Sequence, residues 1–231
     1  MEENRKNIAI VSLGGSMLAP DLPDPVFVKA FVSLITERVK KGRRFIIVTG
    51  GGKTCRNYQE ALKKVRNITD EENDWMGIYT THFNGQFLRL AFGDLAHQEV
   101  ITEYGTKPSF DEAILIGGGE VPGHSTDYDA VLLANMFGAK HIVNVSNTTY
   151  VYTADPRKDK DAKALPRLTW EEYLSYIPAE WTPGLSTPFD PTAAKLAHEN
   201  GLSVAIVNGQ NLGEVAKALD EEDFEGSFIS S

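Results

Sequence analysis

The chain has 231 residues, of which 23 are basic and 32 acidic, so its formal net charge is −9. This length suits one large α/β domain, and the acidic balance argues against nucleic acid or an anionic membrane as the main partner. A single cysteine excludes an intramolecular disulfide and a multi-cysteine metal site. No apolar run approaches the roughly 20 residues that span a bilayer, and the charged segment 1–6 does not resemble a signal peptide. We therefore expect a cytoplasmic protein.

Apolar, β-branched runs alternate with helical patterns along the chain. This alternation predicts an α/β protein, a three-layer α/β/α sandwich with a mostly parallel central sheet, in one domain covering residues 1–231. In chain order, the predicted strands are Ile8–Leu13, Phe45–Val48, Ile114–Ile116, Ile142–Val145 and Val204–Val207.

Helices are predicted between these strands by apolar residues at helical spacing. The first such pattern runs from Phe27 to Val39, and a long helix is predicted between Asn73 and Asp94. The candidate core residues of that long helix are Trp75, Ile78, Phe83, Phe87, Leu88 and Leu90. The polar segment Thr153–Lys163 and the segment Pro178–Pro191, rich in proline, glycine, serine and threonine, predict loops.

Three predicted strands end directly in glycine clusters, at Gly14-Gly15, Gly50–Gly52 and Gly117–Gly119. Ligands of open α/β sheets bind beyond the carboxyl ends of the strands, where glycine lets backbone amides approach an anion. Three clusters at one edge predict phosphate binding. The spacing excludes a Walker A loop, since its first glycine would fall at Ile47, and no strand is followed by the G-x-G-x-x-G pattern.

Two further segments carry polar groups suited to ligand binding. The first, Pro122–Asp127, opens a predicted helix; Ser125 or Thr126 either caps that helix or helps to hold a second phosphorylated ligand. The second, Ser146–Arg157, follows a strand and mixes aromatic, hydroxyl and carboxylate groups that stack on a base and bind its ribose. The five histidines lack metal-binding spacing, so we expect no protein-bound transition metal.

The order of three motifs resembles the amino-acid kinase superfamily, and within it the uridylate kinases of archaeal type. The motifs are Val48–Arg56, Gly123–Asp127 and Val151–Arg157. The resemblance covers essentially the whole chain, and Asp190, where acetylglutamate and carbamate kinases tend to have lysine, favours the uridylate branch. It implies Mg²⁺-dependent transfer of the ATP γ-phosphoryl group to UMP, giving UDP in pyrimidine nucleotide synthesis.

The resemblance also implies roles for individual residues. The lobe of about 1–140 is expected to bind the acceptor and that of about 141–231 to bind ATP. The catalytic candidates are Arg56, which can fork onto phosphate oxygens, Lys53 as a point charge, and Asp127, which would orient a cation. The expected ATP-binding residues are Ser12, Gly14, Gly15, Ser16, Gly52, Arg56, Ser146, Asn147, Tyr152 and Asp155. The expected UMP-binding residues are Gly51, Asp74, Val121, Pro122, Gly123, His124, Ser125, Thr126 and Asp127. A homo-oligomer, typically a hexamer assembled from dimers, is implied too.

Three departures from the family pattern bear on these roles. Ser12 stands where many relatives have lysine, although archaeal uridylate kinases commonly lack it. Thr149-Tyr150 replaces the usual Asp-Gly pair, so either the turn differs or Tyr150 is strained by a positive φ. The loop Gly184–Pro188 is an unusual version of a family loop. Two alternatives therefore stay open: a same-fold kinase of another small phosphate or acid, such as isopentenyl phosphate, and a non-catalytic nucleotide-binding, anion-binding or storage protein.

Overall fold

In the computed structural model, eight strands form one sheet in the order β3-β4-β2-β1-β5-β9-β10-β8. The structure describes residues 8–182, 185 and 187–231, so the charged segment 1–6 and parts of the loop Gly184–Pro188 lie outside the described residues. All neighbouring strands are parallel except β9 and β10. The strands are β1 (Ile8–Leu13), β2 (Arg44–Thr49), β3 (Ala96–Ile101), β4 (Ile114–Gly117), β5 (His141–Ser146), β8 (Arg167–Thr169), β9 (Ser203–Asn208) and β10 (Gly226–Ser230).

Helices cover both faces of this sheet. They are α1 (Gly15–Leu18), α2 (Pro25–Lys40), α3 (Gly52–Val65), α4 (Asp70–Phe92), α5 (Thr126–Phe137), α6 (Trp170–Tyr176), α7 (Pro191–Glu199) and α8 (Leu212–Leu219). Alternate strand residues point to opposite faces, so Ile10 packs with α5, α6 and α7, and Val11 packs with α2, α4 and α8. The predicted three-layer α/β/α sandwich with a mostly parallel sheet is confirmed.

The five predicted strands and the three predicted helices (α2, α4 and α5) are present, with bounds shifted by a few residues. Sequence analysis missed β3, β8, β10 and the small hairpin of β6 (Val151–Tyr152) and β7 (Ala164–Leu165). The edge strand β3 is half polar and β10 pairs antiparallel beside glycine and serine, so neither shows the continuous apolar run of a buried parallel strand. The predicted loop Thr153–Lys163 lies between β6 and β7.

Two candidate core residues of α4 are wrong. Phe83 is 68% exposed and Leu90 63% exposed, whereas Ile78 and Leu88 are buried as predicted. Tyr79 is also exposed, and the spacing of four and seven residues between Tyr79, Phe83 and Leu90 places them on one side of the helix. We call Tyr79, Phe83 and Leu90 the α4 apolar stripe.

Candidate active site

The glycine clusters lie side by side because β4, β2 and β1 are neighbours in the sheet. Gly50 N donates to Leu13 O at 2.9 Å, which ties the loop after β2 to the end of β1. A Cβ atom added to Gly15 would lie 2.1 Å from Gly52 N and 2.4 Å from Gly50 O, both rigid backbone atoms. Gly52 itself has a φ of +66°, which residues with a side chain rarely adopt. The sequence therefore needs glycine at both positions to bring the two loops into contact.

The loop after β2 leads directly into α3, whose first residue is Gly52. The amides of a helix N-terminus and its dipole favour an anion at this point. Arg56 lies one turn into α3 and is exposed, as its predicted phosphate contact requires. Lys53 Nζ pairs with Asp21 Oδ1 at 3.2 Å, and its backbone N donates to Ala19 O. The Lys53 ammonium thus already has an acidic partner in Asp21, whereas Arg56 is exposed one turn after the glycine loop.

Asp127, at the start of α5, is held by groups from three other segments. Ser12 Oγ donates to Asp127 Oδ1 at 2.7 Å, and Asn144 Nδ2 donates to the same oxygen at 3.0 Å. Ser12 and Asn144 are direct neighbours on β1 and β5. The backbone N of Asp190 donates to Asp127 Oδ2 at 3.2 Å. Sequence analysis assigned Ser12 to ATP; its observed contact is with Asp127.

Burial dominates the electrostatics of Asp127. It raises the pKa of this carboxyl to about 7, and the nearby charge of Asp190 raises it further, while the hydrogen bonds from Ser12, Asp190 and Ser125 oppose the shift. A pKa raised this far is typical of functional sites. The carboxyl therefore changes charge in the neutral pH range instead of staying ionised like a surface aspartate.

Sequence analysis used Asp190 only to choose a branch of the family. In the structure, its side chain holds two segments of the site together. Its side chain caps α7 by accepting from Thr192 N and Ala193 N, and it accepts from Ser125 N at 2.7 Å. Asp190 is buried. Asp190 therefore connects the start of α7 to the segment Gly123–Asp127. In that segment Ser125 caps α5, which was one of its two predicted roles.

The predicted acceptor residues Asp74 and Gly123 are brought together, although 49 positions separate them. Gly123 N donates to Asp74 Oδ2 at 3.1 Å, and Gly123 has a φ of +108°. Asp74 is buried near the start of α4, and burial raises the pKa of its carboxyl. In the same loop, Val121 is exposed and His124 is half-buried.

The residues assigned to the adenosine end follow β5 and occupy the β6 region. Ser146 ends β5, Asn147 follows it, and Tyr152 lies in β6 with its ring 6.2 Å from that of Tyr150. Asp155 accepts from Arg157 Nε and Nη2, which keeps its pKa below the usual range. Among these residues the structure shows no contact that joins Asp155 to the others.

The backbone of Tyr150 decides between the two interpretations of the Thr149-Tyr150 departure, a different turn or a strained tyrosine. Among the described residues, Glu221 is the one non-glycine residue with a positive φ, so Tyr150 is not strained in this way. A hydrogen bond from Thr148 Oγ1 to Tyr150 O at 2.9 Å holds the turn without a glycine. Beside it lies a groove of about 390 Å³ that sequence analysis missed, lined by Thr149, Asn208, Gln210, Asn211, Glu214 and Glu225.

Other site-building residues were missed because nothing in a single sequence pairs them with their partners. Asn84 Nδ2 donates to the carbonyl oxygens of Gly50 and Gly51, and so braces the second glycine loop from α4. Gly119 N donates to Thr81 Oγ1 at 2.7 Å, which braces the third loop from the same helix. Within residues 8–182, 185 and 187–231, no group of three His, Cys, Asp or Glu side chains is arranged to hold a metal ion, and no helix is both long and apolar enough to cross a membrane.

These features define a protein class: an α/β/α sandwich with glycine loops, a helix N-terminus and Arg56 gathered at the carboxyl edge of its sheet. The model of the amino acid kinase family matches residues 7–208. The chain belongs to the amino acid kinase family.

Within that family, the chain is similar to uridylate kinases. The chain is 33% identical to "Uridylate kinase" of Methanococcoides burtonii, over 93% of this chain and 92% of that protein. It is 34% identical to "Uridylate kinase" of Pyrococcus abyssi, over 86% and 88%. The crystal structure of uridylate kinase from Archaeoglobus fulgidus superimposes with a TM-score of 0.79 at 27% identity, covering 97% of this chain and 100% of that one.

Proposed function

We propose that this protein is a uridylate kinase, which transfers the γ-phosphoryl group of ATP to UMP and releases UDP and ADP. The observation that carries the proposal is the meeting of the glycine loops, the N-terminus of α3 and the Asp74–Gly123 contact at one edge of the sheet. The similarity to archaeal uridylate kinases over nearly the whole chain supports UMP as the acceptor.

The geometry suits a reaction that depends on positioning and charge. A phosphate oxygen of UMP attacks the γ-phosphorus of ATP, and the bond from that phosphorus to the ADP oxygen breaks. No general base is needed, because the UMP phosphate is already ionised. Gly15 and Gly52 offer backbone amides to the ATP phosphates, whereas the amide of Gly14 donates to Val145 O and shapes the loop. The Arg56 guanidinium neutralises charge on the transferring group. Mg²⁺ enters as part of the MgATP substrate.

We assign the acceptor to the lobe of about 1–140 and ATP to the lobe of about 141–231. On the acceptor side, Asp74 keeps Oδ1 for the UMP ribose while Oδ2 holds Gly123. On the ATP side, Tyr152 and the groove beside Thr149 form the adenosine end. A cytoplasmic location stays a prediction, to be checked by cell fractionation.

The test is ADP release from MgATP with a panel of acceptors: UMP, CMP, dUMP, acetylglutamate and isopentenyl phosphate. Turnover with UMP above all others is expected. Turnover with a different acceptor would replace the proposal by another kinase of this family. ATP binding without turnover on any acceptor would favour a non-catalytic nucleotide-binding or storage protein.

We further propose that the protein is a homo-oligomer, a hexamer built from dimers, in which a second copy covers the α4 apolar stripe. Large apolar side chains exposed along one helix mark an interaction surface, and α3, which packs on α4, also exposes the apolar residues Tyr58 and Val65. Light scattering after size exclusion should give an assembly for the native chain and smaller species for Phe83→Asp with Leu90→Asp. Val26→Asp, at an exposed apolar residue on α2, is the matched control. A monomeric native chain would contradict the proposal.

A further inference from the structure

Asp129 is a buried acid whose two carboxylate oxygens make no hydrogen bond of ordinary geometry within the described part of the chain, although the backbone N–H of Glu120 is near enough to interact with the carboxyl. It lies on the first turn of α5 and is 1% exposed. Burying a carboxyl without a donor is unfavourable, and native proteins nearly always satisfy such groups. The residue therefore calls for a function that the fold alone does not explain.

The charges around Asp129 are mostly negative. Burial raises its pKa well above the usual range, and the charges of Glu120, Asp127 and Asp190 raise it further, although the backbone of Glu120 partly opposes the shift. The pKa of the Tyr104 phenol is raised well above its usual range, by burial first and then by the charge of Asp129, and its hydroxyl donates to Gly118 O and Ile101 O. Among the described residues, the one basic group within ion-pair distance of it is His124, whose Nδ1 lies 3.9 Å from Asp129 Oδ1.

The His124 ring is held in a defined orientation. Its Nδ1 lies 3.3 Å from Ser125 O as well as near Asp129, so both groups facing Nδ1 are acceptors. We assign the proton to Nδ1 on this ground. The ring also packs on Tyr128, with centroids 4.3 Å apart. The remaining ring nitrogen, Nε2, is then the atom left to meet a ligand.

His124 follows Gly123, whose amide is held by Asp74, in the loop that we propose binds UMP. A phosphate group accepts hydrogen bonds, so it selects the imidazolium form of the ring, in which both nitrogens donate. Burial raises the pKa of Asp129 and lowers the pKa of His124, so it favours the neutral form of both groups while no ligand is bound. When the phosphate draws a proton onto the ring, the ionised carboxyl of Asp129 on its far side stabilises the imidazolium. This arrangement gives the buried acid its missing partner at the moment when UMP binds.

We propose that Asp129 is a positioning residue for the acceptor: it orients His124 and balances its charge, so that Nε2–H donates to the phosphate of UMP. The inference rests on the proposed function, because UMP is its ligand. It adds to that function a residue that contacts the acceptor phosphate and a residue that acts through it.

The test compares UMP with uridine, which lacks the phosphate, by calorimetric titration of the full chain. Asp129→Asn keeps the size of the side chain and removes its charge. We expect it to weaken UMP binding about tenfold, the scale of one charge-assisted hydrogen bond, and to leave uridine binding unchanged. His124→Gln should cause a similar loss, and the double variant should be little worse than either single one, because the two residues act as one unit. In the kinase assay, KM for UMP should rise while kcat and KM for ATP stay near the native values.

Three outcomes would overturn the inference. If Asp129 acted on the phosphate only through its own negative charge, Asp129→Asn would tighten UMP binding. If its role were structural only, UMP and uridine would weaken together. Unchanged UMP binding would remove Asp129 from acceptor recognition. Each is distinct from failure of the proposed function, in which the native protein itself neither binds UMP nor phosphorylates it.

Discussion

Asp127→Asn is expected to flatten the dependence of stability on pH. The folded-state pKa of Asp127 is about 7, against the ordinary 3.8. Because the folded value is raised, the unfolded chain ionises first as pH rises, and this favours the unfolded state. The contribution is therefore most favourable below pH 4, is lost progressively as pH rises towards 7, and is constant above that.

The size of the effect follows from these two pKa values. A shift from 3.8 to about 7 is about 3 pKa units, or up to about 4 kcal/mol at 1.36 kcal/mol per unit. Between pH 5 and pH 8 the native chain should lose about 2 to 3 kcal/mol of unfolding free energy through this group alone. Asp127→Asn has no carboxyl that titrates at this position, so its unfolding free energy does not fall with pH through this group. It also loses the acceptor for Asp190 N, which lowers its stability equally at all pH values.

The assay is urea unfolding of ligand-free protein at pH 5, 6, 7 and 8. The quantity compared is the change in unfolding free energy from pH 5 to pH 8 in the native chain and in Asp127→Asn. Asp94→Asn, at an exposed position, controls for the loss of a carboxylate as such and should keep the native pH dependence. Equal slopes for the native chain and Asp127→Asn would refute the reasoning, because they would show that burial does not raise this pKa.

Three further outcomes are expected. Gly15→Ala should abolish activity and lower the melting temperature, because the added Cβ would overlap the Gly52 backbone. The control, Gly14→Ala, should have a milder effect, because its Cβ would lie 3.1 Å from the nearest atom. Equal effects of the two substitutions would contradict this account. Arg56→Ala should lower kcat at least a hundredfold, on the order of a lost transition-state contact, with an unchanged circular dichroism spectrum. Arg66→Ala, at the other end of α3, is the control and should leave kcat unchanged. Near-native turnover of Arg56→Ala would remove Arg56 from the mechanism. Tyr150→Gly should lower the unfolding free energy by about 0.5 to 1 kcal/mol, because no positive φ is relieved and glycine raises the entropy of the unfolded chain. ATP titration of the same variant would detect contacts of the ring with the nucleotide. A variant more stable than the native chain would show that Tyr150 is strained.

The parts of the fold that were predicted correctly are those with local signals. The buried runs of β1, β2, β4, β5 and β9 are continuous and apolar because helices cover both faces of the sheet. Strand β10 was missed because its pairing with β9 is decided by a partner that precedes it by some 20 positions and not by its own pattern. Phe83 and Leu90 were placed in the core because helical spacing identifies an apolar side but not what covers it.

The same distinction between local and long-range signals applies to the candidate site. Glycine clusters at strand ends are visible in a sequence, so the gathering of these loops at one edge of the sheet was predicted correctly. Their binding of phosphate stays a prediction. The acidic network was only partly predicted, because its contacts join distant positions: Ser12 meets Asp127 across 115 positions, and Ser125 meets Asp190 across 65. Asp129 gave no signal at all, since an aspartate in the first turn of a helix ordinarily serves the helix dipole. Its significance depends on burial, which only the structure supplies.

The distribution of charge in the site explains why these acids are perturbed. Asp74, Asp127 and Asp129 are all drawn to higher pKa by burial, and the donors that reach Asp74 and Asp127 are neutral hydroxyl, amide and backbone groups. The cations Arg56 and Lys53 lie outside, on exposed positions of α3. An interior so short of positive charge favours the neutral form of these acids, which then add less negative charge to a site for two phosphorylated substrates. It also fits a histidine that becomes charged when the acceptor phosphate arrives, because Asp129 then has a cation within reach.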